Sequence, residues 1–453
     1  MRQSGITAIG LGTLFFLLIG GGVFGASFPK EKLPGHTRLL IDRGERVDWS
    51  LDGKKLLYVT KAGGEVYEYD LETGENKPIS TFDRASGVGF YRCNYLANGD
   101  YFLTGGKDRR SAYIYILDKS LTQPPHLLYE MVAEGPAISR TQMKVIWTPE
   151  QHQIFIGDIV YEKGVPRIAN KTLLIDWDHT TVEGVTYGTG EHRNEPQNFI
   201  GPEETSFTWS QYTTTPGGVF SAETMTYDLE TGAMENHSHR PDYYDEPEGI
   251  FPAGDYTLVE NDNHKGKGSS AIDLYRMKLD GTGKDMLRLT HFSDLEDFKA
   301  GNGVVSDDGR FLAFHEGRSS AGPGDGFGIY VMDLEKAGIK VKVPEPAARL
   351  ALYPCRRRFV TSVCDVTSIE PVRVRIENHG IGTLKNVRAS GSAAWLKVDH
   401  TPADGNQQTL TIGIDPAAES LAAGEHKAYV TVEADNAKVR RIPVILEITD
   451  SKD

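Results

Sequence analysis

Cysteine is scarce in this chain. Three in 453 residues allow one disulfide at most, and no Cys-x-x-Cys-His segment offers a haem attachment point. A cationic surplus is also missing: 49 Lys and Arg against 63 Asp and Glu leave a formal net charge of -14. Such a chain is repelled by nucleic acid and by anionic membrane surfaces, so neither is expected as a partner. No Gly-rich phosphate loop enters a helix, and no carboxylate pair stands out with separate acid and base environments. Gly317-Arg318-Ser319-Ser320-Ala321-Gly322 lacks the Gly-x-Ser-x-Gly spacing of a nucleophile elbow, which argues against a serine hydrolase. Long amphipathic helical patterns are absent as well. What remains is 49 Gly, 22 Pro and many short apolar runs, a composition that favours an all-β fold.

The one long apolar run is at the start. Arg2 precedes an apolar and Gly stretch from Ile6 to Phe24, with small residues at Val23 and Gly25 suited to cleavage before Ala26. Residues 1–26 are therefore expected to be either a cleaved export signal or an uncleaved anchor helix, since the stretch approaches the ~20 residues that span a bilayer. Both readings send the remainder out of the cytoplasm, with membrane contact through this segment alone. In an exported chain Cys355 and Cys364, flanking Arg356-Arg357-Arg358, could close a small disulfide loop or stay free, whereas Cys93 lies in an apolar strand and reads as a buried thiol.

The most informative positive feature is a repeat. Ser50-Leu51-Asp52-Gly53 is followed by Tyr67-Glu68-Tyr69-Asp70-Leu71, and Ser306-Asp307-Asp308-Gly309 by Ile329-Tyr330-Val331-Met332-Asp333-Leu334. Intermediate copies carry Asn98-Gly99 with Leu117-Asp118, Trp147-Thr148-Pro149 with Ile175-Asp176, Gly201-Pro202-Glu203-Glu204 with Asp228-Leu229, and Gly254-Asp255 with Leu279-Asp280. A unit recurring every ~50 residues cannot bury its own apolar faces and must stack on copies of itself, which for four-stranded units gives a propeller. Six units fit residues 36–340. Thr37-Arg38-Leu39-Leu40-Ile41-Asp42 precedes the first and is expected to serve as the outer strand of the last, latching the ring and removing a free edge.

The repeat stops near residue 341. Residues 341–366, opening with Lys342-Val343-Pro344-Glu345-Pro346, read as a connector. Residues 367–450 hold short alternating strands such as Val372-Arg373-Val374-Arg375-Ile376 and Tyr429-Val430-Thr431-Val432, which describe a small antiparallel, immunoglobulin-like sandwich with Trp395 as its core anchor.

The Ser-x-Asp-Gly turn with its Tyr-x-x-Asp-Leu strand resembles the TolB-type propeller repeat of exported bacterial proteins. The match spans roughly two thirds of the chain. In the tail, Asn378-His379-Gly380, Ala394-Trp395-Leu396-Lys397-Val398 and Gly424-Glu425-His426 resemble the BACON-type module found on carbohydrate-active or surface proteins. The first resemblance implies a binding platform for cell-envelope proteins. Its blade family also includes oligogalacturonate lyases and the propeller gates of serine peptidases.

Polar residues entering the innermost strands of a propeller line its axial channel, which makes them the first candidates for a site. These are His192, Glu195, Gln197, Glu246, Glu248, Lys299 and Asn302; Glu195-Pro196-Gln197 aligns with Glu246-Pro247-Glu248. Such a ring could hold a hydroxyl-rich or cationic ligand or a divalent cation, although no cofactor is required. A second group, His237, His239, His264, His291 and His315, supplies the residue type that a metal-assisted carbohydrate lyase needs for metal and base, without a recognised ligand spacing. The acidic loop Glu260-Asn261-Asp262-Asn263-His264 reads as a solvated turn. The expected role is thus binding of an envelope protein or a glycan at the propeller mouth, with the lyase as the alternative.

Overall fold

The computed structural model describes residues 28–80, 87–176, 181–182, 185–186, 193–214, 218, 220–263, 266, 268–362 and 365–450. Residues 1–26, with the expected signal or anchor, lie outside them. Among the described residues there is no α-helix, and no helix is long and apolar enough to cross a membrane.

The repeat has a local cause. In the first copy the Ser50 hydroxyl donates to Asp52 Oδ1 (2.7 Å) and accepts from the Lys55 amide (2.9 Å), while Asp52 Oδ1 takes the Lys54 amide (3.1 Å). Ser306, Asp308, Arg310 and Phe311 make the same three bonds at 2.6, 3.0 and 3.0 Å. Gly53 and Gly309 both sit at φ +69°, where a side chain would be strained. A second device ends the third strand of a unit: Asp70 Oδ1 caps the amides of Glu72 and Thr73, and Asp228 Oδ1 those of Glu230 and Thr231. Each Ser-x-Asp-Gly and Asp-Leu-Glu-Thr-Gly segment therefore encodes its own turn.

Between these turns run four-stranded antiparallel sheets. Sheet 1 is Glu45–Trp49, Lys55–Val59, Val66–Asp70 and Asn76–Pro78. Sheet 2 begins with Gly89–Tyr95, sheet 3 with Ala137–Ile138, sheet 4 with Arg193–Phe199, sheet 5 with Asp245–Ile250 and sheet 6 with Phe298–Val305. The fourth strand of sheet 6 is Thr37–Ile41, paired antiparallel to Ile329–Asp333 with Thr37 opposite Met332 and Leu39 opposite Tyr330. The innermost strands of sheets 6, 1 and 2 pack in succession, as do those of sheets 3, 4, 5 and 6. Apolar layers fill the gaps: Trp49, Leu56, Ala313 and Val331 between sheets 1 and 6, and Ile146, Ile156, Trp209 and Met225 between sheets 3 and 4. The result is a β-propeller, its sheets arranged radially about a channel lined by first strands.

Two further four-stranded sheets follow. One holds Leu350–Tyr353, Val372–Asn378, Gln407–Ile414 and Leu396–Asp399; the other holds Arg357–Ser362, Ala437–Thr449, Gly424–Ala434 and Arg388–Gly391. They share one core, with Val374, Ile376, Leu410 and Ile412 facing Val430, Val432, Val444 and Leu446, and Trp395 (7% exposed) within it. Two features differ from the sequence reading. The stretch taken as a connector supplies a strand to each sheet, and Arg357–Ser362 runs parallel to the last strand, so the unit is not wholly antiparallel. Leu350–Tyr353 was hidden because all four of its residues are buried, which erases the alternation that marks a half-exposed strand.

This unit is fixed to the propeller by buried charge. Arg440 (3% exposed) donates to Glu230 Oε1 (2.7 Å) and to the carbonyls of Glu203 (3.2 Å) and Leu350 (2.8 Å). Lys144 (2% exposed) donates to Asp158 (3.0 Å) and to the Leu352 carbonyl (2.8 Å), and lies 3.5 Å from the centre of the Tyr353 ring.

Candidate functional site

The first strands of five sheets share an irregularity. Pairing with the second strand slips between Glu45 and Asp48, Phe90 and Arg92, Pro196 and Asn198, Pro247 and Gly249, and Gly301 and Val304. A bulge re-aims side chains, and here Arg46, Arg92, Gln197, Glu248 and Asn302, at or beside the slips, all face the channel. Arg46 (φ +52°) and Asn302 (φ +46°) adopt the left-handed region that non-glycine residues avoid. Two cavities meet at this level. The lower, about 310 Å³, lies on the Asp-Gly-turn side and is bordered by Val343, Pro344 and Arg349 on the way to the C-terminal unit. The upper, about 330 Å³, shares Arg46, Arg92, Glu248 and Asn302 with it, so these four form the waist of the channel.

Carboxylates crowd the upper cavity. Glu195 accepts from the Arg92 guanidinium, the Gly135 amide (3.0 Å) and the Tyr212 hydroxyl (2.8 Å). Glu246 takes the hydroxyls of Tyr212 and Tyr244 and the Gln197 amide (3.4 Å). Asn302 donates its side chain to Glu248 Oε1 (2.9 Å) and its backbone amide to Glu260 Oε1 (2.7 Å). Glu246, Glu248 and Glu260, all buried, each bring one oxygen within 4.8 Å of the others. Cations stand around them: Arg109 pairs with Glu134 (3.2 Å), and Lys299 donates to the Ser269 carbonyl (3.3 Å).

Burial sets the charge state of this cluster. It pushes Glu248 and Glu260 up to about 8, helped by the neighbouring carboxylates, and raises Glu246 well above the carboxylate range for the same two reasons. Burial would raise Glu195 too, but Arg92, Arg46 and the Tyr212 hydroxyl together outweigh it and hold Glu195 low. Burial, then the surrounding carboxylates, keeps Tyr212 and Tyr244 protonated as donors. His315, also lining the upper cavity, is pushed down to about 3 by burial and by Arg46, Lys299 and Arg92, so it is neutral.

Of the channel residues expected from sequence, Glu195, Gln197, Glu246, Glu248, Lys299 and Asn302 line one or both cavities, while His192 lies outside the described residues. The histidine group does not assemble. His237 bonds Thr226 Oγ1 (2.8 Å) and the Gly281 amide (3.0 Å) beside an outer strand; His291 is exposed and 3.4 Å from Asp294; His239 follows the outer strand at φ +50°. His264 lies outside the described residues, and of the other four only His315 lines the channel. Cys355 is a free thiol and its expected partner Cys364 is outside the described residues; Cys93 is buried and donates to the Arg46 carbonyl (3.5 Å).

Sequence reasoning missed Arg46, Arg92, Tyr212 and Glu260. Aligning Glu45-Arg46 and Tyr91-Arg92 with Gly301-Asn302, where the second residue stands three before the strand ends at Trp49, Tyr95 and Val305, would have flagged the two arginines. Glu260 requires a correction: Tyr256–Asn261 is a strand and Glu260, Asn261 and Asp262 are buried, so this segment is no solvated turn.

No protein-family model matches the chain, and no curated protein matches it. Among solved structures it is similar to a gluconolactonase from Xanthomonas campestris, at 14% identity and TM-score 0.42 over 66% of this chain and 89% of that one. An oligogalacturonate lyase from Vibrio parahaemolyticus gives 12%, 0.38, 66% and 94% in the same order, and the calcium-binding protein regucalcin from Agrobacterium tumefaciens 11%, 0.41, 68% and 95%. Likenesses of this depth carry no argument about the site.

Proposed function

We propose that this chain is an exported binding protein: a six-bladed TolB-type propeller that holds a polar ligand at its upper mouth, carried on a BACON-like, immunoglobulin-like module. The six sheets, the latch at Thr37–Ile41 and the repeated Ser-x-Asp-Gly turn support the propeller assignment. The segment that gives Leu350–Tyr353 to one C-terminal sheet and Arg357–Ser362 to the other supports the module.

One observation carries the binding role. Buried carboxylates from sheets 4 and 5 converge with tyrosine, asparagine and arginine donors on a cavity of about 330 Å³, within the ~300–1,000 Å³ typical of small-ligand sites. Glu246, Glu248 and Glu260 suit a cation. Oxygens on opposite sides of a calcium ion stand at most ~5 Å apart, which their 4.8 Å spread meets, and hard oxygen donors are what calcium prefers. The same oxygens suit an ammonium or sugar hydroxyls. The lyase alternative finds less support: a histidine at about 3 is far too weak a base near neutral pH, where an efficient one titrates.

Calorimetric titration of the full-length chain against calcium and a panel of neutral and charged sugars and short peptides tests this reading. Saturable binding that disappears in Glu246→Gln and Glu248→Gln is expected. Cleavage of a uronate polymer, or binding indifferent to both substitutions, would overturn it.

A further inference from the structure

The waist holds one guanidinium whose donors are not used up. Arg92 is committed to Glu195, Arg109 to Glu134 and Arg318 to Glu316. Arg46 is 9% exposed, and its Nε and Nη1 have no hydrogen-bond partner among the described residues. Its ion pair with Glu45 is long, 3.7 Å from Nε to Oε2. A buried donor left unmade is costly, and so is the left-handed backbone that presents it. Such costs persist where something else recovers them, and a planar guanidinium is best satisfied by a carboxylate.

Directly facing the same cavity are Glu246, Glu248 and Glu260. Asn302 occupies Oε1 of Glu248 and of Glu260, and among the described residues neither Oε2 takes a hydrogen bond. Acidic oxygens that a cation would hold ionised and an anion-seeking guanidinium therefore open onto one space, supplied by sheets 5 and 1. We infer that the ligand is a small zwitterion, its ammonium on the Glu246, Glu248 and Glu260 carboxylates and its carboxylate on Arg46. This rests on the binding reading above and narrows it to one chemical class.

A homologous series measures the spacing. Glycine, β-alanine, 4-aminobutanoate and 6-aminohexanoate carry the same two charges at increasing separation, and each is titrated calorimetrically into the full-length chain beside its methyl ester and N-acetyl derivative. Affinity is expected to peak at one length and to fall by about tenfold or more when either charge is blocked, or in Arg46→Gln. Arg46→Lys should recover part of the loss. If Arg46→Gln fails to fold, the blocked derivatives decide alone. Esters or acetylated forms that bind as well as their parents overturn the inference, as does a series that does not bind at all. In that last case, retained binding of calcium or a neutral sugar leaves the binding reading standing, whereas loss of every ligand removes both.

Discussion

At the scale of single residues, the clearest consequence concerns protons. Folded Glu248 and Glu260 titrate at about 8 against 4.5 for the free group, so between these values the folded state keeps protons that the unfolded state has released. Their contribution to stability is then greatest below about 4.5 and declines as pH rises toward 8, by about 1.4 kcal/mol per pH unit for each proton held. Urea unfolding across this range should show the decline, and Glu248→Gln should flatten it. Two glycines offer a cleaner comparison. Gly53 and Gly309 share φ +69°, but a Cβ at Gly53 meets open space whereas at Gly309 it would lie 2.6 Å from Val341 Cγ1. Gly53→Ala is expected to cost about 1 kcal/mol from its backbone alone, and Gly309→Ala measurably more.

Legibility in the sequence divides along the same line. The turns were readable because Ser50, Asp52 and Lys55 satisfy one another within six residues, so composition and geometry coincide. Glu260 was not, because Glu-Asn-Asp-Asn-His has the composition of a loop; only the stacking of sheets 4, 5 and 6 buries it. Arg46 and Arg92 escaped for a related reason. Their shared position is defined by bulges, and a bulge is a property of pairing between strands, not of either strand's residues.

Strands and sheets carry the second set of consequences. Arg440 joins a strand of the C-terminal unit to Glu230 of sheet 4 with almost no solvent access. Arg440→Ala leaves Glu230 without that partner and should cost about 3–5 kcal/mol, read as a lowered denaturant midpoint. Trp395 is the largest side chain in the C-terminal core, and Trp395→Ala should lose about 3–5 kcal/mol. The two sheets of this unit were visible from Val372 onward, where inward and outward residues alternate. Leu350–Tyr353 was not, since the propeller covers the face that would otherwise be polar.

For the whole molecule, closure depends on five residues from the beginning of the described chain. Removing residues 28–42 would expose the edge of Ile329–Asp333 and the apolar layer of Leu312, Tyr330 and Met332 beneath it. Self-association on gel filtration and rapid proteolysis within sheet 6 are expected. The propeller class and the latch were legible because periodicity is a global property written in every copy. The site was legible only in part: Glu195, Gln197, Glu246, Glu248, Lys299 and Asn302 line the cavities, but Arg46, Arg92 and Tyr212 join them from sheets far apart in the chain that meet only around the axis.

Arg46, Arg92, Glu248 and Asn302 border both cavities at once. The two ends of the pore are thus not independent compartments. Any molecule that neutralises or pulls on this shared girdle from above alters the potential seen from below, on the side toward which Val343, Pro344 and Arg349 lead to the C-terminal unit. A charge held in the upper cavity would in this way be felt at the end of the propeller that carries the appendage.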